Sequence, residues 1–492
     1  MRGQLDKGES VHLDHRSIRL AQAAWSAKPL AERLKVVRAL RTAIGDGGRE
    51  LAKTVPLESA GQLHRSLADT LVSEVMPLAE ACRFLERRAE QILAPVRQSS
   101  ELRPIWLGGV TVETRRDALG IVLIIGPGNY PLFLAGSQAI QTLVAGNAVL
   151  WKPAPGGSAV AFALKTLLVE SGLDARLLTV LDESPAAAQV AIERGVDKVV
   201  LTGSANTGRA VMRSLAETLT PSVMELSGCD AVFVLPGADP ERVVEAIAFG
   251  MRFNGSATCM APRRLIVSEA VAATLGPRLA TALRSLEPVP VTRASLKLLS
   301  ELVEEATLFG AGVLLNGQSG DSGSAATVGV TLVDGGLPSM RIAKTDIFAP
   351  LLTILNAETN EDALDVYSQC PYALTAAVFG PEEKARLFAG RVRAGCVLVN
   401  DVIVASADPR ASFGGRGLSG FGSTRGAEGL LEMTAVKNIL VQRSTSRRAW
   451  KPTTVAHGDL FVALLRVLHG RGGRSRFEAL RDLVKAARGM KW

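Results

Sequence analysis

The 492-residue sequence has little cysteine, few aromatic residues and no long apolar run. Its five cysteines are scattered and form no Cys-x-x-Cys pair, which excludes a disulfide framework and a zinc site and is typical of the reducing cytoplasm. No stretch reaches the about 18 consecutive apolar residues of a membrane-spanning helix. Residues 1–17 are charged and have no apolar core, so we expect no secretory leader. The 47 glycines and 23 prolines are spread along the chain, which excludes collagen-like and low-complexity classes.

The net charge of +8 belongs to the C-terminal tail. Residues 446–492 contain 11 Lys+Arg and 3 Asp+Glu, so the remaining 445 residues contain 45 charges of each sign. No basic stripe runs through the body of the chain, and the sequence therefore predicts no nucleic-acid partner.

Alternating strand and helix patterns predict an α/β fold. Apolar residues three and four apart predict helices between residues 15 and 96. From residue 120, short apolar runs such as Ile121–Ile125 are each followed by a Gly/Pro turn and a helical stretch, which is typical of a mostly parallel sheet. A second α/β stretch runs from about residue 262 to 400, and period-two alternation predicts a β-hairpin within 103–119. We therefore predict two α/β domains plus a small β element.

Two polar side chains follow the first strands of this sheet. Asn129 lies in the turn sequence GPGNYP, where its amide could stabilise an oxyanion or could be an ordinary turn asparagine. Lys152 also stands at a strand end. It could bind a ribose hydroxyl or a phosphate, or be a solvated charge.

Three further motifs contain candidate chemical groups. Gly203 and Gly208 bracket a helix start whose N–H groups could face a pyrophosphate, although the spacing is not GxGxxG. Glu225 lies on an apolar strand, where a carboxylate is either paired or suited to act as a general base. Cys259 lies in a loop of small residues that a ligand could reach. The alternative, a small buried apolar residue, fits the other four cysteines.

Taken together, the motifs resemble the aldehyde dehydrogenase superfamily over about residues 15–445. The resemblance rests on the order of the five motifs and on two later segments, TDIFAP at 345–350 and the Gly-rich stretch 413–437. It implies a Rossmann-like cofactor domain, a catalytic domain and a β oligomerisation element.

The resemblance also implies a mechanism. The Cys259 thiolate would attack the aldehyde to form a thiohemiacetal, whose oxyanion is held by Asn129. Hydride transfer to NAD or NADP would leave a thioester, and Glu225 would activate the water that releases a carboxylic acid. The presence of Glu225 speaks against the coenzyme-A-acylating branch, whose members typically lack that base.

By the same resemblance, the site comprises two further groups of residues. Cofactor contacts are implied at Lys152, Pro153, Gly203, Ser204, Gly208, Leu226, Asp346 and Phe348. A substrate tunnel is implied at Tyr130, Phe133, Leu134, Ser137, Phe253 and Met260. This mostly apolar lining predicts an apolar aliphatic or aromatic aldehyde. The prediction would be overturned by an inward-pointing arginine, for which the candidates are Arg263, Arg264, Arg410 and Arg416.

The chain departs from the family pattern at several positions. Gly128 stands where a tryptophan is usual, Asp346 replaces a glutamate, and Ser227 and Ala349 replace glycines. Pro155 stands where NAD-preferring members often carry a glutamate that accepts the 2′-hydroxyl. Because no acidic group at this position repels a 2′-phosphate, both NAD and NADP remain open.

The resemblance divides the chain into four parts. They are an NAD(P)-binding domain at 1–102 and 120–227, an oligomerisation element at 103–119 and 437–446, a catalytic domain at 228–436, and a basic amphipathic tail at 447–492. The oligomerisation element implies a homodimer or homotetramer.

The tail extends beyond the usual end of the family. Within 459–488, Phe477, Leu480, Leu483 and Val484 share one face of a predicted helix that is surrounded by basic residues. Such a helix can lie on an anionic membrane surface, or pack on its own body or a sister subunit.

Two alternatives to a hydrolytic aldehyde dehydrogenase stay open. One is an acyl-transferring dehydrogenase that releases an acyl-CoA. The other is a non-catalytic scaffold or membrane-surface protein that kept the fold. For all three, the cysteine usage predicts a cytoplasmic location.

Overall fold

The structure, a computed structural model, describes residues 14–56, 65–317, 319–321, 326–446, 450 and 452–488. Residues 1–13, which belong to the segment where no leader is expected, lie outside the described residues. The chain divides into two compact units. The first comprises residues 1–94 and 115–437 and includes most of both predicted α/β domains, and the second comprises 95–114 and 438–492.

The described residues form the following α-helices and β-strands. The helices are α1 (His15–Ser26), α2 (Leu30–Thr54), α3 (Leu67–Thr70), α4 (Met76–Leu93), α5 (Phe133–Val144), α6 (Ser158–Glu170), α7 (Pro185–Glu193), α8 (Ala205–Ala216), α9 (Pro240–Arg252), α10 (Glu269–Arg284), α11 (Arg293–Leu308), α12 (Asn360–Ser368), α13 (Glu382–Ala389), α14 (Gly426–Glu432), α15 (Val455–His469) and α16 (Gly473–Arg488). The strands are β1 (Val96–Arg97), β2 (Val110–Ala118), β3 (Ile121–Ile125), β4 (Ala148–Lys152), β5 (Leu178–Val180), β6 (Lys198–Gly203), β7 (Ser222–Leu226), β8 (Asp230–Val234), β9 (Pro262–Val267), β10 (Val289–Val291), β11 (Gly312–Leu315), β12 (Ser319–Asp321), β13 (Ala326–Val328), β14 (Thr331–Gly336), β15 (Leu351–Asn356), β16 (Tyr372–Ala373), β17 (Thr375–Phe379), β18 (Cys396–Val399), β19 (Arg416–Gly417), β20 (Gly420–Phe421) and β21 (Thr434–Gln442).

The first large sheet has six strands in the order β20-β7-β6-β3-β4-β5. Strands β3 to β7 are parallel, and β20 pairs antiparallel with β7. All residues of β3 and β4 are buried, as expected for parallel strands covered by helices on both faces. The chain runs from β3 to β4 and β5 on one side, then returns to β6 and β7 on the other. Ligands of such sheets bind at the carboxyl ends of the strands beside this reversal.

The second large sheet has seven strands in the order β11-β14-β15-β9-β8-β17-β18. Its strands are parallel except β11. The loop that contains Cys259 leads into β9, and the segment 345–350 leads into β15, so two neighbouring strands begin beside candidate site residues. The predicted α/β fold is confirmed.

The hairpin predicted within 103–119 is wrong. Ile105–Leu107 forms a 3-10 turn after Pro104, and only Val110–Ala118 is a strand. Proline has no N–H for a ladder hydrogen bond, which disfavours a strand before the turn. The partners of β2 are β1 and β21.

In the second unit, α15 and α16 form a helical hairpin around the turn at Gly470–Gly472. Small buried residues, Ala463 on α15 and Ala479 on α16, allow helices to approach closely. No helix in the described part of the chain is long and apolar enough to span a membrane.

Candidate active site

A cavity of about 440 Å³ lies beside the carboxyl ends of β3, β4 and β6. Of the predicted cofactor residues, those that line it are Lys152, Gly203, Ser204, Leu226, Asp346 and Phe348. Pro153 and Gly208 are buried but are not among the lining residues. A Cβ atom at Gly208 would lie 2.9 Å from Leu226 Cδ1, so the glycine allows α8 to pack against the end of β7.

Helix α8 begins at the wall of this cavity. The Ser204 hydroxyl accepts the Thr207 N–H at 3.2 Å and caps the helix. The first N–H groups of a helix have no partner within it, and they favour anions such as a pyrophosphate. This end of the cavity therefore fits the phosphate part of a dinucleotide.

Near the end of β4, the cavity wall combines a buried cation, Lys152, with an uncharged residue, Pro155. Burial lowers the pKa of Lys152, and the nearby Glu183 and Asp182 carboxylates oppose that shift. Glu183 accepts the Gly156 and Ser158 N–H groups at 2.8 and 2.9 Å, which closes the loop after β4. Pro155 lines the cavity, so no carboxylate faces a bound cofactor from that position.

Asp346 accepts a hydrogen bond from Ser227, which the sequence did not predict. Burial raises the pKa of Asp346, whereas a hydrogen bond from Ser227 and the charge of Arg263 lower it. Ser227 stands where the family pattern has a glycine, and Asp346 stands where it has a glutamate. The two departures from the pattern therefore contact each other.

A second cavity of about 220 Å³ has a mostly apolar wall. Of the predicted tunnel residues, those that line it are Tyr130, Phe133, Leu134, Phe253 and Met260. Ser137 does not line it. The Ser137 hydroxyl donates to the Leu134 carbonyl at 3.0 Å and borders a separate, smaller cavity.

Glu225 and Cys259 join the two cavities. In the part of the chain that the structure describes, they are the only residues that line both. Glu225 stands near the end of β7, and Cys259 stands in the loop before β9. A thiol and a carboxylate thus lie where a molecule in either cavity can reach them.

The backbone of the Cys259 loop is held in an unusual conformation. Asn254 and Ser256 have positive φ angles of 53° and 60°, a region that residues other than glycine seldom adopt. Asn129 Nδ2 donates to the Ala257 carbonyl at 3.0 Å, and Asn254 Nδ2 donates to the Asn129 carbonyl at 3.1 Å. Because an amide nitrogen carries two N–H groups, Asn129 keeps one for an oxyanion.

Burial and nearby charges shift the pKa values of Cys259 and Glu225. Burial raises the pKa of the Cys259 thiol well above its ordinary value, and the Glu225 and Asp230 carboxylates raise it further. Burial also raises the pKa of Glu225. Arg425 lowers the pKa of both groups, and the Thr424 hydroxyl, 3.0 Å from Glu225 Oε2, lowers that of Glu225.

The four arginines considered as inward candidates do not line the second cavity. Arg263 and Arg264 are buried and donate to backbone carbonyls, Arg410 pairs with Asp408 at the surface, and Arg416 is exposed. Instead, Arg425 lines the second, mostly apolar cavity. The sequence signal was an arginine inside the Gly-rich segment, and our interpretation overlooked it.

A buried ion pair near the second cavity was also not predicted. Arg65 and Glu74 lie 2.8 Å apart, and Glu74 accepts the Leu132 and Phe133 N–H groups at the start of α5. This pair fixes the helix that presents Phe133 and Leu134 to the cavity.

Comparisons with known proteins identify the family of the chain. A family model described as "Aldehyde dehydrogenase family" matches residues 5–439. A betaine aldehyde dehydrogenase of Cereibacter sphaeroides is 30% identical over 434 residues, covering 86% of this chain and 87% of the relative. A 4,4'-diapolycopene aldehyde oxidase of Methylomonas sp is 28% identical over 471 residues, covering 92% of this chain and 86% of the relative.

A solved structure shows the same fold. Betaine aldehyde dehydrogenase of Staphylococcus aureus in complex with NAD+ superposes with a TM-score of 0.80 at 22% identity, covering 89% of this chain and 88% of that one. The chain belongs to the aldehyde dehydrogenase family and is an NAD(P)-dependent oxidoreductase.

Proposed function

We propose that this enzyme is a hydrolytic aldehyde dehydrogenase that oxidises an apolar aldehyde to the carboxylic acid. The observation that carries the proposal is that Cys259 and Glu225 alone line both cavities, among the described residues. A nucleophile and a base at the junction can act on a substrate in one cavity while a dinucleotide occupies the other.

In this proposal each residue has one task. The Cys259 thiolate attacks the carbonyl carbon and forms the C–S bond of a thiohemiacetal, while the free N–H of Asn129 stabilises its oxyanion. NAD(P), when bound, supplies the oxidation that converts the thiohemiacetal to a thioester. Glu225 then takes a proton from the water that attacks this thioester, which releases the acid and the thiolate.

The cavity lining supports an apolar aliphatic or aromatic substrate. Phe133, Phe249, Phe253 and Phe413 contribute ring surface, and desolvating an apolar chain against them is favourable. Arg425, the cation in this wall, is stacked against two of these rings. This supports a role within the wall rather than as a clamp for a substrate carboxylate.

For the cofactor, we propose that NADP is accepted as well as NAD, because Pro155 presents no carboxylate to a 2′-phosphate. We further propose that 1–102 and 120–227 bind the cofactor and that 228–436 forms the catalytic domain. The positions of Lys152 and Ser204 at the first cavity support this division.

We propose a homodimer or homotetramer, in the cytoplasm, formed through 103–119 and 437–446. Trp106, Leu440 and Val441 expose large apolar side chains in these segments, and such residues are commonly covered by a partner. Light scattering of the purified protein tests the assembly, and a monomer at micromolar concentration would contradict it.

We also propose that the tail contacts an anionic membrane surface through α16. Phe477, Leu480 and Val484 form an exposed apolar row, and Arg481, Lys485 and Arg488 form a basic row beside it; together they line one shallow groove. An apolar row bordered by basic residues suits the boundary between lipid headgroups and acyl chains. A second tail, which carries the same charge of +8, would be repelled, whereas anionic lipid is attracted.

Vesicle co-sedimentation tests this contact. We expect binding to phosphatidylserine-containing vesicles, little binding to phosphatidylcholine alone, and loss of binding in Arg481→Glu/Lys485→Glu. The matched control Lys384→Glu/Arg386→Glu changes two exposed charges on α13 and should bind normally. If the tail variant binds like the control, or dimerises poorly instead, α16 packs on protein and not on lipid.

Turnover assays test the catalytic proposal. Purified enzyme is given short, long-chain and aromatic aldehydes with NAD or NADP, with and without coenzyme A. Cys259→Ala should abolish turnover, whereas the control Cys396→Ala, at a half-buried cysteine outside both cavities, should not. Glu225→Gln should give one burst of NAD(P)H and then stop, because the thioester is not hydrolysed. Turnover that requires coenzyme A would indicate the acylating branch, and cofactor binding without any turnover would favour a scaffold.

A further inference from the structure

The guanidinium of Arg425 is buried inside the wall of the substrate cavity. It lies between the rings of Phe133 and Phe413, with 5.4 and 4.5 Å from Cζ to the ring centroids. Nη1 donates to the Ser406 carbonyl at 2.7 Å, whereas Nε is buried without a hydrogen-bond partner. A buried charge with incomplete hydrogen bonding is unfavourable unless opposite charge lies nearby.

The backbone holds Arg425 in a strained conformation. Its φ of 59° and ψ of 177° lie in a region that residues other than glycine seldom occupy. The preceding residue, Thr424, lies 3.0 Å from Glu225 Oε2 and 3.2 Å from the Phe413 carbonyl through its hydroxyl. The segment is thus fixed against Glu225 on one side, and the arginine side chain enters the cavity wall on the other.

The main opposite charges available to Arg425 are those of Glu225 and Cys259. Cys259 and Glu225 line the same cavity, and each must be anionic to act in the proposed reaction. The other charged groups that act on Cys259 are Asp230 and Asp346, which are acidic. Arg263 is fully buried and bonded to Ser256 and to the Ala349 carbonyl, and the charged group that it interacts with most is Asp346.

We propose that Arg425 is a positioning residue for the reaction, whose charge stabilises the Cys259 thiolate and the Glu225 carboxylate. This inference rests on the proposed hydrolytic function. Burial raises the pKa of both groups, and Arg425 opposes that rise in both. Without the guanidinium, a smaller fraction of Cys259 is thiolate at neutral pH, and a smaller fraction of Glu225 is ionised and able to accept a proton.

Alkylation of Cys259 by iodoacetamide tests the proposal without any turnover. The rate is followed by peptide mass spectrometry from about pH 6 to about pH 10, because only the thiolate reacts. In Arg425→Met, which keeps an apolar chain between the two rings, we expect the pH profile to move up by about one unit. At pH values below the midpoint this corresponds to about tenfold slower alkylation. Arg425→Lys should restore most of the rate, because it restores the charge.

Matched controls separate charge from packing. Arg410→Met removes an exposed arginine outside the substrate cavity and should leave the profile unchanged. Circular dichroism and thermal unfolding report whether each variant is folded, and Arg425→Gln provides a second neutral substitution if Arg425→Met is not. An unchanged profile in a folded neutral variant overturns the proposal.

A further result would also overturn it. If only the KM for carboxylate-bearing aldehydes rises, with an unchanged alkylation profile, then Arg425 binds substrate. Alkylation needs no aldehyde and no cofactor. A shifted profile would therefore support the proposed effect of Arg425 on the Cys259 thiolate even if the enzyme showed no hydrolytic turnover. The two proposals can therefore fail separately.

Discussion

Removal of Arg65 should destabilise the enzyme strongly and in a pH-dependent manner. The Arg65 and Glu74 side chains are 1% and 0% exposed and pair at 2.8 Å. Glu74 Oε2 also accepts the Leu132 and Phe133 N–H groups, each at 2.8 Å, where α5 begins. In Arg65→Met the carboxylate stays buried without its counter-charge, and breaking such a pair costs about 3–5 kcal/mol.

The pH dependence follows from the direction of the pKa shift. Burial raises the pKa of Glu74, while Arg65 and the two backbone N–H groups oppose that rise. Loss of Arg65 raises it further. A carboxyl group whose pKa is higher folded than unfolded destabilises the fold at pH values above the folded pKa, and this penalty disappears as the pH falls through it. The deficit of Arg65→Met should therefore be larger at neutral pH and shrink as the pH falls toward about 4.3, the ordinary pKa of a glutamate.

Chemical denaturation of wild type, Arg65→Met and Arg65→Met/Glu74→Gln across this range checks the reasoning. Glutamine keeps an oxygen for the backbone N–H groups but removes the charge, so the double variant should regain about half or more of the lost stability. A deficit below about 1 kcal/mol, or one that does not change with pH, would refute the argument from a stranded buried charge.

Three further outcomes are expected. Gly208→Val adds a Cβ that would lie 2.9 Å from Leu226 Cδ1 and further atoms beyond it, and it should weaken NAD(P) binding several-fold in fluorescence titrations; unchanged binding would place the cofactor away from α8. Phe249→Ala widens the substrate cavity and should raise kcat/KM for bulkier aldehydes relative to short ones by about tenfold, within the range for pocket contacts. Ser227→Gly removes the hydrogen bond that lowers the pKa of Asp346, so this pKa should rise. As the pH is lowered, cofactor affinity should therefore begin to fall at a higher pH than in wild type; identical pH profiles would exclude Asp346 from the ribose contact.

The α/β fold and the grouping of the motif residues followed from the sequence because both have local causes. Buried parallel strands read as continuous apolar runs, and a turn at a strand end shows itself by its glycines and prolines. The sequence placed Asn129, Lys152 and Gly203 at strand ends, and because parallel strands present their carboxyl ends to one edge, one cavity contains all three. Their roles in catalysis and cofactor binding remain predictions.

Tertiary structure alone decided which charged and polar side chains enter the site. The ring of Phe133 that stacks on Arg425 is 292 residues away along the chain, and the N–H groups that Glu74 accepts are 58 and 59 residues away. No local pattern predicts such contacts, because an arginine looks the same in sequence whether it bonds a carbonyl, as Arg263 does, or faces a cavity. The choice is made by packing over the whole domain, which removes water from one side chain and leaves another exposed.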